Sequence, residues 1–181
     1  MGDLRFERTD DMLQIHFMKL LAEMPFKKIS VSKLAKASKM DWTTFYDHYE
    51  NTYQLTEKLI NQHINLIETV IRENITQQRN KSHFDSYNYL NEALADYLMT
   101  HRLEIQHLRR LNFGINSFDA KLRKLFNKTY SQIFHLSQDL FSQYLMTTLA
   151  MSNFDFILDK QRVQQKKEIQ DGLTKTTSYF S

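Results

Sequence analysis

Apolar residues recur every three or four positions along most of the chain, the spacing of a single helical face. Leu13, Phe17, Leu20, Leu21 and Met24 predict a first helix over Thr9 to Met24. Thr9 is its expected cap, Asp10 and Asp11 lie in its first turn, and Pro25 stops it. Ile29, Val31, Leu34, Ala35, Met40, Phe45, Tyr46 and Tyr49 supply the apolar positions of two short helices, Ser30 to Ala37 and Trp42 to Tyr49. Ser30 precedes the first as an N-cap and Asp41 the second, where each accepts from backbone N–H groups that have no helical partner. Ser38-Lys39 between them leaves no room for a long loop. Two capped helices with a tight turn make a helix-turn-helix unit, whose second helix can lie in a DNA major groove. Glu50-Asn51-Thr52 breaks the pattern. The run from Leu55 through Leu59, Ile60, Ile64, Ile67, Val70 and Ile71 to Ile75 then predicts one helix of about 25 residues from Tyr53.

The remainder is helical but less sharply patterned. Gln77 to Ser82 is polar and reads as a loop. Tyr87, Leu90, Leu94, Tyr97 and Leu98 line one face of a helix from Phe84 to Met99, and a short helix from Leu103 to Leu111 ends near Gly114. Ser117 to Met146 is one helix or two broken near Ser137, and Asn153 to about Leu173 is a last one.

Composition narrows the class. The 181 residues allow one large domain or two small ones, and a hydrophobic fraction of 41% is enough for a core. Three glycines and one proline leave almost nothing for hairpins, so the fold class is all-α. No apolar run is long enough to span a membrane, and the start, MGDLRFERTDD, is too charged for a signal peptide. There is no cysteine, which removes disulfides and thiolate metal sites; a cytoplasmic protein is expected. The net charge of +3 is modest, but Lys27, Lys28, Lys33, Lys36 and Lys39 fall in one stretch with no acid among them. That clusters positive charge on the helix-turn-helix, where a solvated face is the plainer alternative.

Ile29-Ser30-Val31, Leu34-Ala35 and Phe45-Tyr46-Asp47-His48-Tyr49 resemble the TetR family of bacterial transcriptional regulators. The resemblance covers about the first sixty residues, roughly a third of the chain. It implies a DNA-binding domain over 1–52 and a helical ligand-binding and dimerisation domain over 53–181, joined by the long helix. It also implies a DNA-facing set of Ser30, Ser32, Lys33, Trp42, Thr43, Thr44, Tyr46, His48 and Thr52. Two positions depart from the family pattern. The turn glycine falls at Lys39, where a left-handed backbone would cost on the order of 1 kcal/mol. The phosphate-binding lysine at the start of the fourth helix falls at Thr52, leaving that contact weaker or supplied elsewhere, as by Lys58. The start of the first helix, at Thr9, would lie near a phosphate.

Within the second short helix, Trp42, Thr43 and Thr44 can reach base edges, and a threonine offers both a hydroxyl and a methyl. Trp42 either packs under the first helix or, as the resemblance implies, points at DNA. Tyr46 gives its hydroxyl to a phosphate in the family, against the alternative of a core tyrosine. For His48 a structural and a phosphate role stand equally open. Phe84, Tyr87, Tyr97, Phe113, Phe118, Phe126, Tyr130 and Phe134 are either core or the lining of an apolar or aromatic ligand pocket that the family places in this region. His101 with Glu104, and His135 with Asp139, have a spacing that can hold a metal, but chance supplies such pairs in a helical chain with seven histidines. There is no Gly-rich phosphate loop and no nucleophile motif. No cofactor, metal or enzyme activity is expected.

The resulting expectation is a TetR-like, one-component transcriptional regulator, a repressor in the first instance. It would bind an inverted-repeat double-stranded DNA operator as a homodimer and be released by a small effector. The alternatives are an activator, a partner-controlled regulator without a ligand, or an all-α interaction protein that binds no DNA. The family's last two helices form half of a four-helix dimer bundle, here expected in parts of 139–151 and 153–173.

Overall fold

The computed structural model describes residues 4–77, 92–133, 139–165, 167–168, 171–172 and 174–175. Among these every regular element is helical. In order they are α1 (Leu4–Glu23), a 3-10 turn (Phe26–Lys28), α2 (Val31–Ser38), α3 (Trp42–His48), α4 (Thr52–Gln77), α5 (Glu92–Thr100), α6 (Arg102–Arg109), a second 3-10 turn (Gly114–Asn116), α7 (Phe118–Ile133) and α8 (Leu140–Lys160). The all-α class expected from the scarcity of glycine and proline is what the chain adopts.

The helices divide into two compact units. One runs to Asn65 and takes in Leu103–Lys121; the other takes in Leu66 to Arg102 and the chain from Leu122 onward. The first unit is built on Leu13, Phe17, Leu34, Phe45, Leu55 and Ile60, with Ile105, Leu108 and Phe118 from the later segment, all fully buried or nearly so. Phe26 sits among Phe17, Tyr53 and Phe113, with ring centroids at 6.3, 4.9 and 5.3 Å. The segment Leu103–Lys121 is also held by polar contacts. Arg109 donates twice to the Asp119 carboxylate, at 2.6 and 3.1 Å, and Lys121 Nζ reaches Glu57 at 3.0 Å and Asn61 at 2.6 Å on α4. The second unit centres on Ile67, Ile71, Leu94, Leu98, Leu122, Phe126, Phe154 and Ile157. There Arg102 Nε donates to the Leu158 carbonyl at 2.6 Å.

Three local expectations change. The first helix begins at Leu4, not Thr9, because nothing in Leu4 to Arg8 breaks it. Thr9 is therefore not a cap; its hydroxyl donates to the Arg5 carbonyl one turn back, at 2.9 Å. Asp41 has the extended backbone of an N-cap, φ −70° and ψ 148°, but its carboxylate makes no capping bond. The separate helices expected up to Met146 and from Asn153 are instead one helix, α8. Its middle has no glycine or proline, and Thr147, Ala150, Met151, Phe154, Ile157 and Leu158 continue a single buried stripe. Asp139 caps α8 by accepting from Ser142 N–H at 3.1 Å, and Gln161 ends it in the left-handed conformation at φ 55°. The loop expected over Gln77 to Ser82 starts one residue too early, since Gln77 is still in α4; the rest of it, the helix start at Phe84 and the break near Ser137 lie outside the described residues.

The turn between α2 and α3 matches the strained geometry anticipated for it. Lys39 has φ 54° and ψ 40°, and its N–H donates to the Lys36 carbonyl at 3.2 Å. Met40 N–H donates to Ala35 at 2.9 Å, completing a Schellman turn. Glycine enters this region without a Cβ penalty, so Lys39→Gly should raise stability by up to about 1 kcal/mol in chemical denaturation. Unchanged or lower stability would mean that the lysine side chain compensates for the strain.

Candidate nucleic-acid interface

A helix of eight residues and one of seven are too short to hold their shape alone, so caps and burial fix them. Ser30 Oγ accepts from Lys33 N–H at 3.2 Å and starts α2. Leu34 and Phe45 are fully buried, with Ala35 and Tyr49 close to it, and these anchor the inner faces of α2 and α3. With Phe45 turned inward, the helical period turns Thr43, Tyr46 and Asp47 outward, and Trp42, in the first turn of α3, is exposed as well. Trp42 is 62% exposed and Tyr46 52%, while Thr44 is half-buried. Of the two readings of Trp42, packing under the first helix is thereby excluded, and Tyr46 is not a core tyrosine. On α2, Ser30, Ser32 and Lys33 are exposed. Lys27, Lys28, Lys36 and Lys39 are exposed too, and none of the five lysines forms an ion pair among the described residues. Lys33 Nζ donates to the Lys28 carbonyl at 3.0 Å.

Beneath this face lies a buried polar cluster that sequence reading missed. Asp10, on the apolar side of α1, is 9% exposed. Its carboxylate accepts from the Tyr49 hydroxyl, from Lys58 Nζ at 2.7 Å and from Gln14 Nε2 at 2.7 Å. One acid thus joins α1, the end of α3 and α4. Burial pushes the Asp10 carboxyl up, but the Lys58 and Tyr49 hydrogen bonds and the Lys58 charge outweigh it and hold the group below its usual value. Burial, then the Asp10 hydrogen bond and charge, push the Tyr49 hydroxyl far up, so it remains a donor. The sequence signal was an acid in register with Leu13, Phe17 and Leu21.

This cluster bears on two further expectations. Lys58, the stand-in suggested for a phosphate-binding lysine at position 52, is bonded to Asp10 with its ammonium 5.3 Å from the centre of the Tyr49 ring, while its side chain stays 44% exposed. The His48 side chain is only 3% exposed, stacks on Phe6 at 3.8 Å and lies 3.7 Å from Asp10, the surroundings of a packed side chain. Thr52 is half-buried at the first turn of α4. That turn is capped by Asn51, whose Oδ1 accepts from Gln54 N–H at 3.0 Å, while Gln54 Oε1 accepts from Glu50 N–H at 2.6 Å.

The described aromatic candidates for a ligand pocket fall in both units. Phe126 and Tyr130 pack together at 6.0 Å in the second unit, with Phe154 at 6.2 Å from Phe126. Tyr97, half-buried, lies against His101 at 4.7 Å in the same unit. Phe113 belongs to the Phe26–Tyr53 cluster of the first unit, and Phe118 is fully buried there, 6.4 Å from the His63 ring. Phe84, Tyr87 and Phe134 lie outside the described residues. An open hollow of about 430 Å³ on the first unit is lined by polar residues including Gln54, Glu57, Lys58 and Asn61, and by none of these aromatics.

No protein-family model matches this chain, and no curated protein matches it. A solved structure described as the dihydroxyacetone kinase operon activator DhaS shares its fold, with a TM-score of 0.52, 16% sequence identity and 84% of each chain covered. Among the described residues, no helix is long and apolar enough to cross a membrane.

The Asp10 cluster makes a quantitative prediction. Asp10→Ala leaves the buried Tyr49 hydroxyl without its acceptor and should cost about 2–3 kcal/mol at neutral pH. Because the folded-state carboxyl is lowered, its contribution is complete above the ordinary value of 3.8 and is lost as pH falls through the lower folded value. Denaturation of both proteins across acid pH should therefore show the gap closing. A gap that is constant or widens on acidification would rule out the charged carboxylate as its source.

Proposed function

We propose that the protein is a TetR-like one-component transcriptional regulator that binds double-stranded DNA as a homodimer. The observation that carries this reading is the outer face of α3. A seven-residue helix presents Trp42, Thr43 and Tyr46 to solvent while Phe45 seats it, and five exposed lysines without acidic partners among the described residues precede it. The fold shared with a protein described as an operon activator supports a role in transcription. In this reading Thr43 and Thr44 meet base edges, and Tyr46, Ser30, Ser32, Lys33 and Thr52 lie along the phosphates. His48 is left out of the contact set because its side chain is buried.

Dimerisation is proposed through the start of α8. Leu140, Phe141 and Tyr144 are 79, 75 and 72% exposed, an apolar run unusual for a solvated helix. A second copy of the chain would remove it from water. A small effector held in the domain over 53–181 would then shift the population between dimers with well and badly spaced recognition helices, provided that it binds the two unequally. Repression with release by effector is the first reading. Activation is the second, and the description of the structural neighbour favours it.

Two experiments test these readings. A two-fold dimer should select an inverted repeat from random DNA, with half-sites about one helical turn apart or a small multiple. Affinity should fall with salt. On the selected site, Tyr46→Phe should weaken binding to all sequences by a similar factor. Thr43→Ala or Thr44→Ala should instead flatten preference at particular positions, by roughly 1–3 kcal/mol where a good base contact is lost. Absence of any sequence preference in the wild type would sink the DNA-reading proposal. Separately, Phe141→Asp should shift the sedimenting species from dimer to monomer; an unchanged dimer would place the interface elsewhere.

A further inference from the structure

Trp42 opens α3 with 62% of its surface exposed, and Tyr46, one turn later, has 52%. Their rings meet edge to face, with centroids 5.9 Å apart at 79°. Tyr46 stands in the same way on the buried Phe45, at 5.6 Å and 87°. The indole is thus braced from the core outward, with less freedom than a lone surface tryptophan. Braced aromatic surface left in water is unfavourable, and its position beside a lysine cluster with no ion pair among the described residues points to a polyanion as what covers it.

The chemistry of the indole narrows the target. It has a single N–H donor and no acceptor, so it cannot form the two-bond pairs by which arginine reads guanine or asparagine reads adenine. Its apolar face needs an apolar partner. In the major groove only thymine offers one, the C5 methyl group. Resting on the reading that α3 enters the major groove, we propose that Trp42, braced by the Tyr46 ring, is a specificity-determining residue that reads thymine through its methyl group. The Tyr46 hydroxyl plays no part in this contact, so a phosphate bond from that hydroxyl and the bracing by its ring are separate functions of one side chain.

The test uses the full chain and the site it selects from random DNA. Each thymine of one half-site is replaced in turn by deoxyuridine, which removes only the methyl group. At one position the wild type should lose about fourfold in affinity, the worth of one methyl group taken out of water. Trp42→Ala should bind more weakly and be indifferent to that replacement. Trp42→Phe should keep part of the penalty, and Tyr46→Phe all of it. The salt dependence of Trp42→Ala should equal that of the wild type, because the indole is uncharged. Trp42→Gln repeats the comparison if alanine disturbs α3, which thermal melting would reveal.

The inference is overturned if the wild type ignores every deoxyuridine, or if the penalty persists undiminished in Trp42→Ala and Trp42→Gln. Wild-type affinity of Trp42→Ala for the selected site also overturns it, and assigns the exposed pair to another partner. Failure to select any sequence defeats this inference together with the DNA-reading proposal. A selected inverted repeat with unread methyl groups defeats this inference alone.

Discussion

The Asp10 carboxylate fixes the geometry on which the rest of the first unit depends. A charge on the apolar face of a helix is costly to desolvate unless donors replace its water. Tyr49, Lys58 and Gln14 replace it, and two of them come from other helices. Hydrophobic contact alone tolerates small slides of one helix over another. A carboxylate held by directed donors does not, because a shift of an ångström leaves a buried hydroxyl or charge unpaired. Phe6, 48% exposed, stacks on His48 beside the same carboxylate. The outward pitch of α3 is set by Phe45 and Tyr49 on its inner face, and Tyr49 is tied directly to Asp10.

The elements that present the outer face have little stability of their own. Neither α2 nor α3 is long enough to repay helix nucleation. Their order comes from Ser30, from the Schellman turn and from the residues they bury. The lysine in that turn trades backbone comfort for a positive charge. Glycine at position 39 would relax the turn and delete one of the cations on this surface. Lys58 uses its charge differently: its side chain stays 44% exposed, and its ammonium is bonded to a buried acid.

Much of this was legible in the sequence, for physical reasons that particular residues make plain. Ser30 could be read as a cap from local backbone chemistry, and Lys39 as left-handed because the family resemblance puts a turn glycine at its position. The face of α3 could be read because Phe45 and Tyr49 mark its buried side. The start of α1 could not, because Thr9 and the acids after it imitate an N-terminus, while Leu4 to Arg8 has no competing signal. That error concealed Asp10: an acid in a first turn needs no explanation, whereas an acid mid-helix in line with Leu13 and Phe17 does. The continuity of α8 was missed because Thr147 and Ser152 look like interruptions of an apolar pattern. In the helix the Thr147 hydroxyl bonds back to the Gln143 carbonyl at 2.7 Å, and the break disappears. The aromatic residues after position 83 were hardest. Periodicity says that a side chain is buried but not which neighbours bury it, and Phe113 joins Phe26 and Tyr53 from far along the chain.

The proposed interface also divides its work by chemistry. Lysines attract a phosphate backbone whatever its sequence, so they contribute affinity and salt sensitivity but no discrimination. Discrimination needs groups whose partners differ from base pair to base pair. The outer face of α3 has few such groups with hydrogen-bonding range, because Thr43 is short and Asp47 carries the charge that phosphates repel. The largest surface there is apolar and aromatic. A reader built this way distinguishes bases mainly by shape and methyl content. It would be tolerant where several bases present similar edges and strict where a methyl group must fill the space beside the indole. The rigidity that strictness requires comes from below, through Tyr46 and Phe45.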